Sequence, residues 1–297
     1  MRAVGIILAG GNNNRMKELT HKRAVAAMPI AGSYRSIDFA LSNMTNSHIQ
    51  KVAVLTQYNA RSLNEHLNSS KWWNFGRKQG GLYVFTPTIT NDNGYWYRGT
   101  ADAIYQNMDF LKKSHEPYVV IASGDAVYKM DYSKVLQYHI DKKADVTVVC
   151  KEMDPSDDVS RFGTIRMDDD MRITEFEEKP MVTKSNMIST GIYVIRRRLL
   201  IDLIEHAAEE ERFDFVNDVL IRYKNLKKIY GYKIDHYWSN IATVDAYYKT
   251  NMDFLKPEVR NYFFKQDPEI YSKVSDLPPA KYNPGASVKN SLVGSGS

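Results

Sequence analysis

Val4-Gly5-Ile6-Ile7-Leu8-Ala9-Gly10-Gly11-Asn12-Asn13-Asn14-Arg15 is the stretch on which the architecture turns. A short aliphatic run that breaks into two glycines reads as a buried strand ending in a tight turn. Amides in such a turn point at phosphate oxygens, and the missing side chains let a ligand approach the backbone closely. Asn tolerates left-handed backbone geometry better than most residues, so the three asparagines suit the loop. Arg15 then stands where a guanidinium would clamp a triphosphate. A plain strand-to-helix turn with a surface arginine is the ordinary alternative, so the rest of the chain has to decide.

Working outward, short β-rich runs alternate with helical patterns to about residue 255. Strands are expected at 3–8, 51–57, 118–122, 145–151, 188–195 and 227–232, and helices at 35–45, 101–113, 132–142, 199–208 and 214–223. In the second helix Ile104, Met108 and Leu111 recur at helical spacing and would face a sheet. Such alternation predicts an α/β fold with parallel strands, crossover helices and both sheet faces covered. Residues 161–180 interrupt it: two β-like runs flank the acidic tip Asp168-Asp169-Asp170, which reads as a β-ribbon inserted into the sheet. After a helix at 244–255, residues 256–284 are rich in Pro, Tyr, Lys and Asp and read as a linker. Residues 285–297 have the aliphatic-plus-turn rhythm of one coil of a hexapeptide β-helix. The domain expectation is therefore 1–255, a linker at 256–284, and the truncated beginning of a β-helix at 285–297.

Composition narrows the classes. The chain has 297 residues, 43% hydrophobic and 25% charged, with a net charge of +5. That balance suits a globular protein and anionic small molecules. Lys and Arg are dispersed and no nucleic-acid-binding signature appears, so no nucleic-acid partner is expected. No run approaches the ~20 apolar residues of a membrane span. The lone Cys150 sits in an apolar run and reads as a core residue of a reducing compartment, which makes the expected location cytoplasmic.

Four further motifs carry chemistry. Trp96-Tyr97-Arg98-Gly99-Thr100-Ala101-Asp102 opens a helix, where free amides and the helix dipole would face a ligand. Ser123-Gly124-Asp125 follows an apolar strand, and a carboxylate there is placed to hold Mg²⁺ against phosphate oxygens. Glu178-Lys179-Pro180 ends the ribbon with a candidate phosphate-binding lysine, and Gly163 with Ser189-Thr190-Gly191 could meet sugar hydroxyls. Each has an ordinary reading as a helix cap, a turn cap or a solvated lysine.

Taken in order, these pieces closely resemble the bacterial ADP-glucose pyrophosphorylases (glucose-1-phosphate adenylyltransferases) of glycogen synthesis. The resemblance rests on Leu8-Ala9-Gly10-Gly11, Tyr34-Arg35-Ser36-Ile37-Asp38-Phe39, Gln57-Tyr58-Asn59, the Trp96–Ala103 island (residues 96–103), Arg161-Phe162-Gly163, Phe176-Glu177-Glu178-Lys179-Pro180, Gly191-Ile192-Tyr193 and Tyr237-Trp238. It implies a nucleotide-diphospho-sugar transferase fold (GT-A-like and Rossmann-like, with a mixed, mainly parallel sheet) followed by the start of a left-handed β-helix. The implied chemistry is in-line attack of glucose 1-phosphate on the α-phosphate of ATP, with Mg²⁺ as cofactor. Carried onto this sequence, the implied nucleotide-binding residues are Leu8, Ala9, Gly10, Gly11, Arg15, Gly99, Thr100 and Ala101. Those for glucose 1-phosphate are Tyr97, Gly163, Glu178, Lys179 and Ser189, with Asp125 and Arg15 catalytic and Asp125 a weak metal ligand.

The departures concern charge. The family's triphosphate lysine falls at Val25, with Lys22 and Arg23 two or three residues early, and its second metal-binding carboxylate falls at Asn240. This pattern resembles the D-type regulatory, non-catalytic subunit, which binds sugar phosphate or adenine nucleotide and pairs with a catalytic subunit in a hetero-oligomer, expected to be a tetramer. On that reading no cofactor is required. An active adenylyltransferase using Mg²⁺ with Lys22 or Arg23 as displaced phosphate ligand, and a pure interaction module with a vestigial pocket, are the alternatives.

Overall fold

The structure, a computed structural model, describes residues 2–11, 14–76, 80–89 and 94–297. Asn12 and Asn13 of the glycine-rich loop lie outside the described residues. Thirteen strands occur among them: β1 (Ala3–Ala9), β2 (Pro29–Ile30), β3 (Tyr34–Arg35), β4 (Lys51–Thr56), β5 (Gly81–Phe85), β6 (Tyr118–Ser123), β7 (Ala126–Tyr128), β8 (Val146–Glu152), β9 (Gly163–Met167), β10 (Ile173–Glu178), β11 (Met187–Arg196), β12 (Ile229–Ile234) and β13 (Trp238–Asn240). Nine form one mixed sheet in the order β10-β9-β11-β6-β1-β4-β5, with β8 and β12 branching from β11. The β6-β1-β4-β5 half is parallel, as the alternation predicts, while β11 runs antiparallel to both β6 and β8.

Alternate residues of β1 explain why it is central. Ala3, Ile7 and Ala9 enter one apolar layer with helix Ser36–Asn46 and helix Tyr132–Asp141; Val4 and Ile6 enter the other, with Thr100–Gln106 and Arg197–Glu209. A strand apolar on both faces requires helices on both sides. The ribbon β9–β10 forms as a hairpin. It lies at the edge of the sheet, joined through the Ile188–Thr164 register of β11 and β9.

Three local expectations are corrected. The single helix expected at 101–113 is two helices, Thr100–Gln106 and Met108–Lys112, broken at Asn107. The Asn107 amide donates to the carbonyl of Ala103 at 2.8 Å and to the hydroxyl of Tyr97 at 2.9 Å, a local bond that competes with the helix. Pro257–Phe264, inside the stretch read as a linker, form a helix that starts on proline, which suits the first helical turn. Its Phe263 is fully buried, edge-on to Phe39 at 5.4 Å and to Tyr237 at 5.4 Å. The helix at 214–223 is a π-helix, Phe215–Ile221. Residues 285–297 contain no strand and fold back through the Gly296 amide on the Pro278 carbonyl at 2.7 Å. No described helix is long and apolar enough to cross a membrane.

Two outcomes follow. Phe263→Ala opens a cavity against Phe39 and Tyr237 and is expected to lower stability by about 3–5 kcal/mol in urea denaturation; a loss under about 1 kcal/mol would place the helix outside the core. His139 is buried, with its Nδ1 2.9 Å from the Thr147 hydroxyl and its Nε2 unpartnered among the described residues. Burial pushes its pKa down to about 4, helped by Arg196. The unfolded chain therefore takes up this proton from about pH 6.5 downward while the fold resists it, so stability falls by roughly 2–3 kcal/mol as pH drops from 6.5 to 4. His139→Gln is expected to flatten that slope in pH-dependent melts.

Candidate functional site

The carboxyl ends of β1, β4 and β6 open onto one cavity of about 740 Å³, the place where open α/β sheets bind ligands and a size that suits a nucleotide or sugar phosphate. The Gly124 amide donates to the Leu8 carbonyl at 3.0 Å and keeps the ends of β1 and β6 side by side. A Cβ on Gly124 would meet the Cβ atoms of Ala9 and Ala26 at 3.3 Å, so the turn carrying Asp125 packs directly on the end of β1. Leu8, Ala9, Gly10, Gly11, Arg15, Tyr97, Gly99, Thr100, Asp125 and Lys179 all line the cavity, and so do Val25 and Asn240. Ala101, Gly163, Glu178 and Ser189 are not among the lining residues.

Strand pairing decides the acidic corner. Asn240 on β13 lies opposite Ala126 on β7, and the Ile241 amide donates to the Asp125 carbonyl at 3.0 Å. Asp125 and Asn240 are thus held beside each other at the cavity. The Ser123 hydroxyl donates to Asp125 Oδ1 at 2.5 Å, and Asn240 Oδ1 accepts the Ala242 amide at 3.1 Å. Val25 is buried in an apolar cluster with Met16, Met28 and Phe39, so its wall of the cavity is hydrocarbon. Lys22 is exposed and Arg23 partly buried; neither lines the cavity.

The opening of helix Thr100–Gln106 corrects an expectation. Its amides do not stand free: Ala101 and Asp102 both donate to the Phe213 carbonyl, at 2.8 and 3.3 Å, and Phe215 donates to the Thr100 hydroxyl at 2.9 Å. The cap is Gly99 rather than Thr100. A Cβ on Gly99 would lie 2.3 Å from the Phe213 carbonyl oxygen, which explains the glycine. The helix start is thus bonded to Phe213 and Phe215.

On the side expected to meet the sugar phosphate, Lys179 Nζ lies 3.1 Å from Glu178 Oε1. Burial raises the Glu178 pKa, with Lys179 acting against that rise. Gly163 leaves room for this carboxylate: a Cβ there would fall 2.8 Å from Glu178 Oε2 and 2.6 Å from the Phe176 ring. The Ser189 hydroxyl lies 3.2 Å from the Tyr193 hydroxyl across a register shift in β11, where Gly191 takes φ +75° and reaches the cavity. Tyr97 is fixed by Gln57, whose side chain accepts from the Tyr97 amide at 2.6 Å and donates to its carbonyl at 3.3 Å.

Gly191, expected near sugar hydroxyls, lines the cavity, and so do Arg161, Gln57 and Tyr193, to which the sequence assigned no ligand role. Their only sequence signal was membership of the motif islands, because pairing registers and side-chain clamps join positions far apart in the chain. Among the described lining residues the cations Arg15, Arg98, Arg161 and Lys179 face one carboxylate, Asp125. The Mg²⁺ implied by the resemblance fits this donor set poorly. Mg²⁺ wants hard, charged oxygens in near-octahedral array, whereas one carboxylate and a neutral amide oxygen, both already hydrogen-bonded, are what this corner supplies. No group of three or more His, Cys, Asp or Glu suited to a metal occurs among the described residues.

Comparison with known proteins agrees with this geometry. The family model for nucleotidyl transferases matches residues 4–257. A glucose-1-phosphate adenylyltransferase of Thermosipho melanesiensis is 39% identical over 295 residues, 99% of this chain and 71% of that protein. One from Clostridium novyi is 40% identical over 293 residues, covering 98% of this chain and 76% of that protein. A solved Bacillus anthracis chain, described as a glucose-1-phosphate thymidylyltransferase, superposes with a TM-score of 0.67 at 21% identity, covering 84% of this chain and 94% of that one, and so shares the fold. The chain belongs to the nucleotidyl transferase family, with the glucose-1-phosphate adenylyltransferases among its relatives.

Proposed function

We propose that this chain is a D-type regulatory or structural subunit of a glucose-1-phosphate adenylyltransferase of glycogen synthesis. It binds sugar phosphate or adenine nucleotide in the cavity and pairs with a catalytic homologue in a hetero-oligomer. The observation that carries the reading is the pair of neutral side chains, Asn240 beside Asp125 and Val25 in the apolar wall, at a site otherwise shaped for phosphates.

The physical argument is one of charge. Adenylyl transfer needs no nucleophilic side chain; it needs two anions aligned and the charge developing on the α-phosphate neutralised. Each well-placed electrostatic donor is worth roughly 3–4 kcal/mol, or about 10²–10³ in rate. Replacing an ammonium by an isopropyl group and a carboxylate by an amide would together cost on the order of 10⁴-fold, if the effects add. Binding, which draws on the backbone turns and the remaining cations, is less affected.

A second reading, an active adenylyltransferase, is favoured by the four cations that line the cavity. Since Lys22 and Arg23 stand outside it, Arg15 or Arg161 would have to take over the role of the missing lysine. The isolated chain, assayed with ATP, glucose 1-phosphate and Mg²⁺, is expected to release pyrophosphate at ~10⁻³ s⁻¹ or slower; turnover near ~1 s⁻¹ would establish the second reading. Added to a catalytic homologue, the chain should co-elute with it and alter its kinetics, and independence in both would sink the subunit reading. The double substitution Val25→Lys with Asn240→Asp is expected to raise turnover at least ~10²-fold with the fold retained by circular dichroism.

A further inference from the structure

We infer that Arg161 anchors a metal-free polyphosphate in this cavity, so that the chain takes ATP or pyrophosphate as the free anion in preference to its magnesium complex. The inference rests on reading the cavity as a binding site of a subunit with little chemistry of its own.

Arg161 is partly buried, and its guanidinium lies over the Phe162 ring with its carbon 4.6 Å from the centroid. Among the described residues its hydrogen bond is a long one, from Nη1 to the Thr243 hydroxyl at 3.5 Å. A guanidinium carries five donors in a planar fork, so most of this fork is available to a ligand in a cavity whose wall it forms. Burial lowers the Arg161 pKa first of all; Asp125 and Asp158 oppose that, and the charge of Arg15 adds to it. Lost solvation is the largest effect on this guanidinium, and an anion bound to its open fork would replace the hydrogen bonds that burial removes.

Magnesium meets the opposite situation. Two of the four lining cations are already paired, Arg98 with Asp102 and Lys179 with Glu178, and Asp125 is the one carboxylate among the described lining residues. The Asp125 carboxylate is engaged by Ser123, and the Asn240 oxygen is turned to the Ala242 amide. A divalent cation arriving with ATP would find one carboxylate and one amide oxygen, each already accepting a hydrogen bond, and no further anionic oxygen among the described lining residues. Removing it leaves a more negative ligand for the same arginines.

Isothermal titration of the full chain with ATP, and separately with inorganic pyrophosphate, in excess Mg²⁺ and in EDTA tests this. The dissociation constant in EDTA is expected to equal or fall below that in Mg²⁺. Arg161→Gln should weaken ATP binding in EDTA by about tenfold or more, with Arg161→Lys recovering part of the loss. Binding that weakens tenfold when Mg²⁺ is removed, binding unaffected by Arg161→Gln, or no binding in either medium would overturn the inference. If Arg161→Gln melts early, the metal comparison on the parent chain decides by itself. Turnover measured on the same sample separates the two claims: a chain that binds only the magnesium complex yet stays idle sinks this inference alone, and one that binds free ATP but turns over rapidly sinks the subunit reading.

Discussion

The hydrogen bond from the Gly124 amide to the Leu8 carbonyl joins the two turns on which the site is built. It holds the glycine-rich end of β1 against the end of β6, and a side chain at position 124 would crowd Ala9 and Ala26. Two parallel strands that finish level, each followed by a tight turn, leave a crevice lined by backbone polar groups. The Ser36 hydroxyl, donating to the Gly124 carbonyl at 2.9 Å, ties the same turn to the helix beneath.

Around that frame the site is layered. Residues facing the cavity are held by neighbours: Gln57, itself in the lining, fixes the Tyr97 backbone, while Asn107 and Phe213, outside it, hold the Tyr97 hydroxyl and the start of the following helix. Arg98 shows the same economy of means, paired with Asp102 at 3.3 Å while its guanidinium carbon lies 3.8 Å from the centroid of the Phe213 ring. Such cross-bracing sets the shape of the cavity independently of which charges line it. Shape and charge are separable here because the one is set by packing and the other by a few side-chain identities.

The C-terminal third is part of this framework. Phe254 and Phe263 complete an aromatic cluster with Phe39, and Phe264 stacks on Tyr34 at 4.7 Å. Lys129, nearly buried, donates to the Tyr262 carbonyl at 2.8 Å, and Ser272 donates to the buried Asp38 at 2.6 Å. Asp38 in turn lies 2.7 Å from His66. Val25 and Ile241 belong to the same apolar cluster, so the neutral wall of the cavity is continuous with the packing of the C-terminal helices.

By itself the sequence determined the parallel core and the ligand-bearing turns, because period-two aliphatic runs, paired glycines and helical repeats are local signals written in adjacent residues. It also specified the neutral identities of Val25 and Asn240 through the motif order. Tertiary structure alone decided that Asn240 sits beside Asp125, that Arg161 joins the lining, that the amides of Ala101 and Asp102 are taken by Phe213, and that 257–264 is a core helix. Each of these depends on a contact between residues far apart in the chain, and the polar and aromatic composition of the last resembles a linker until the ring of Phe39 is there to cover Phe263. Local pattern reports which face of an element is apolar; only the assembled fold reports what covers it.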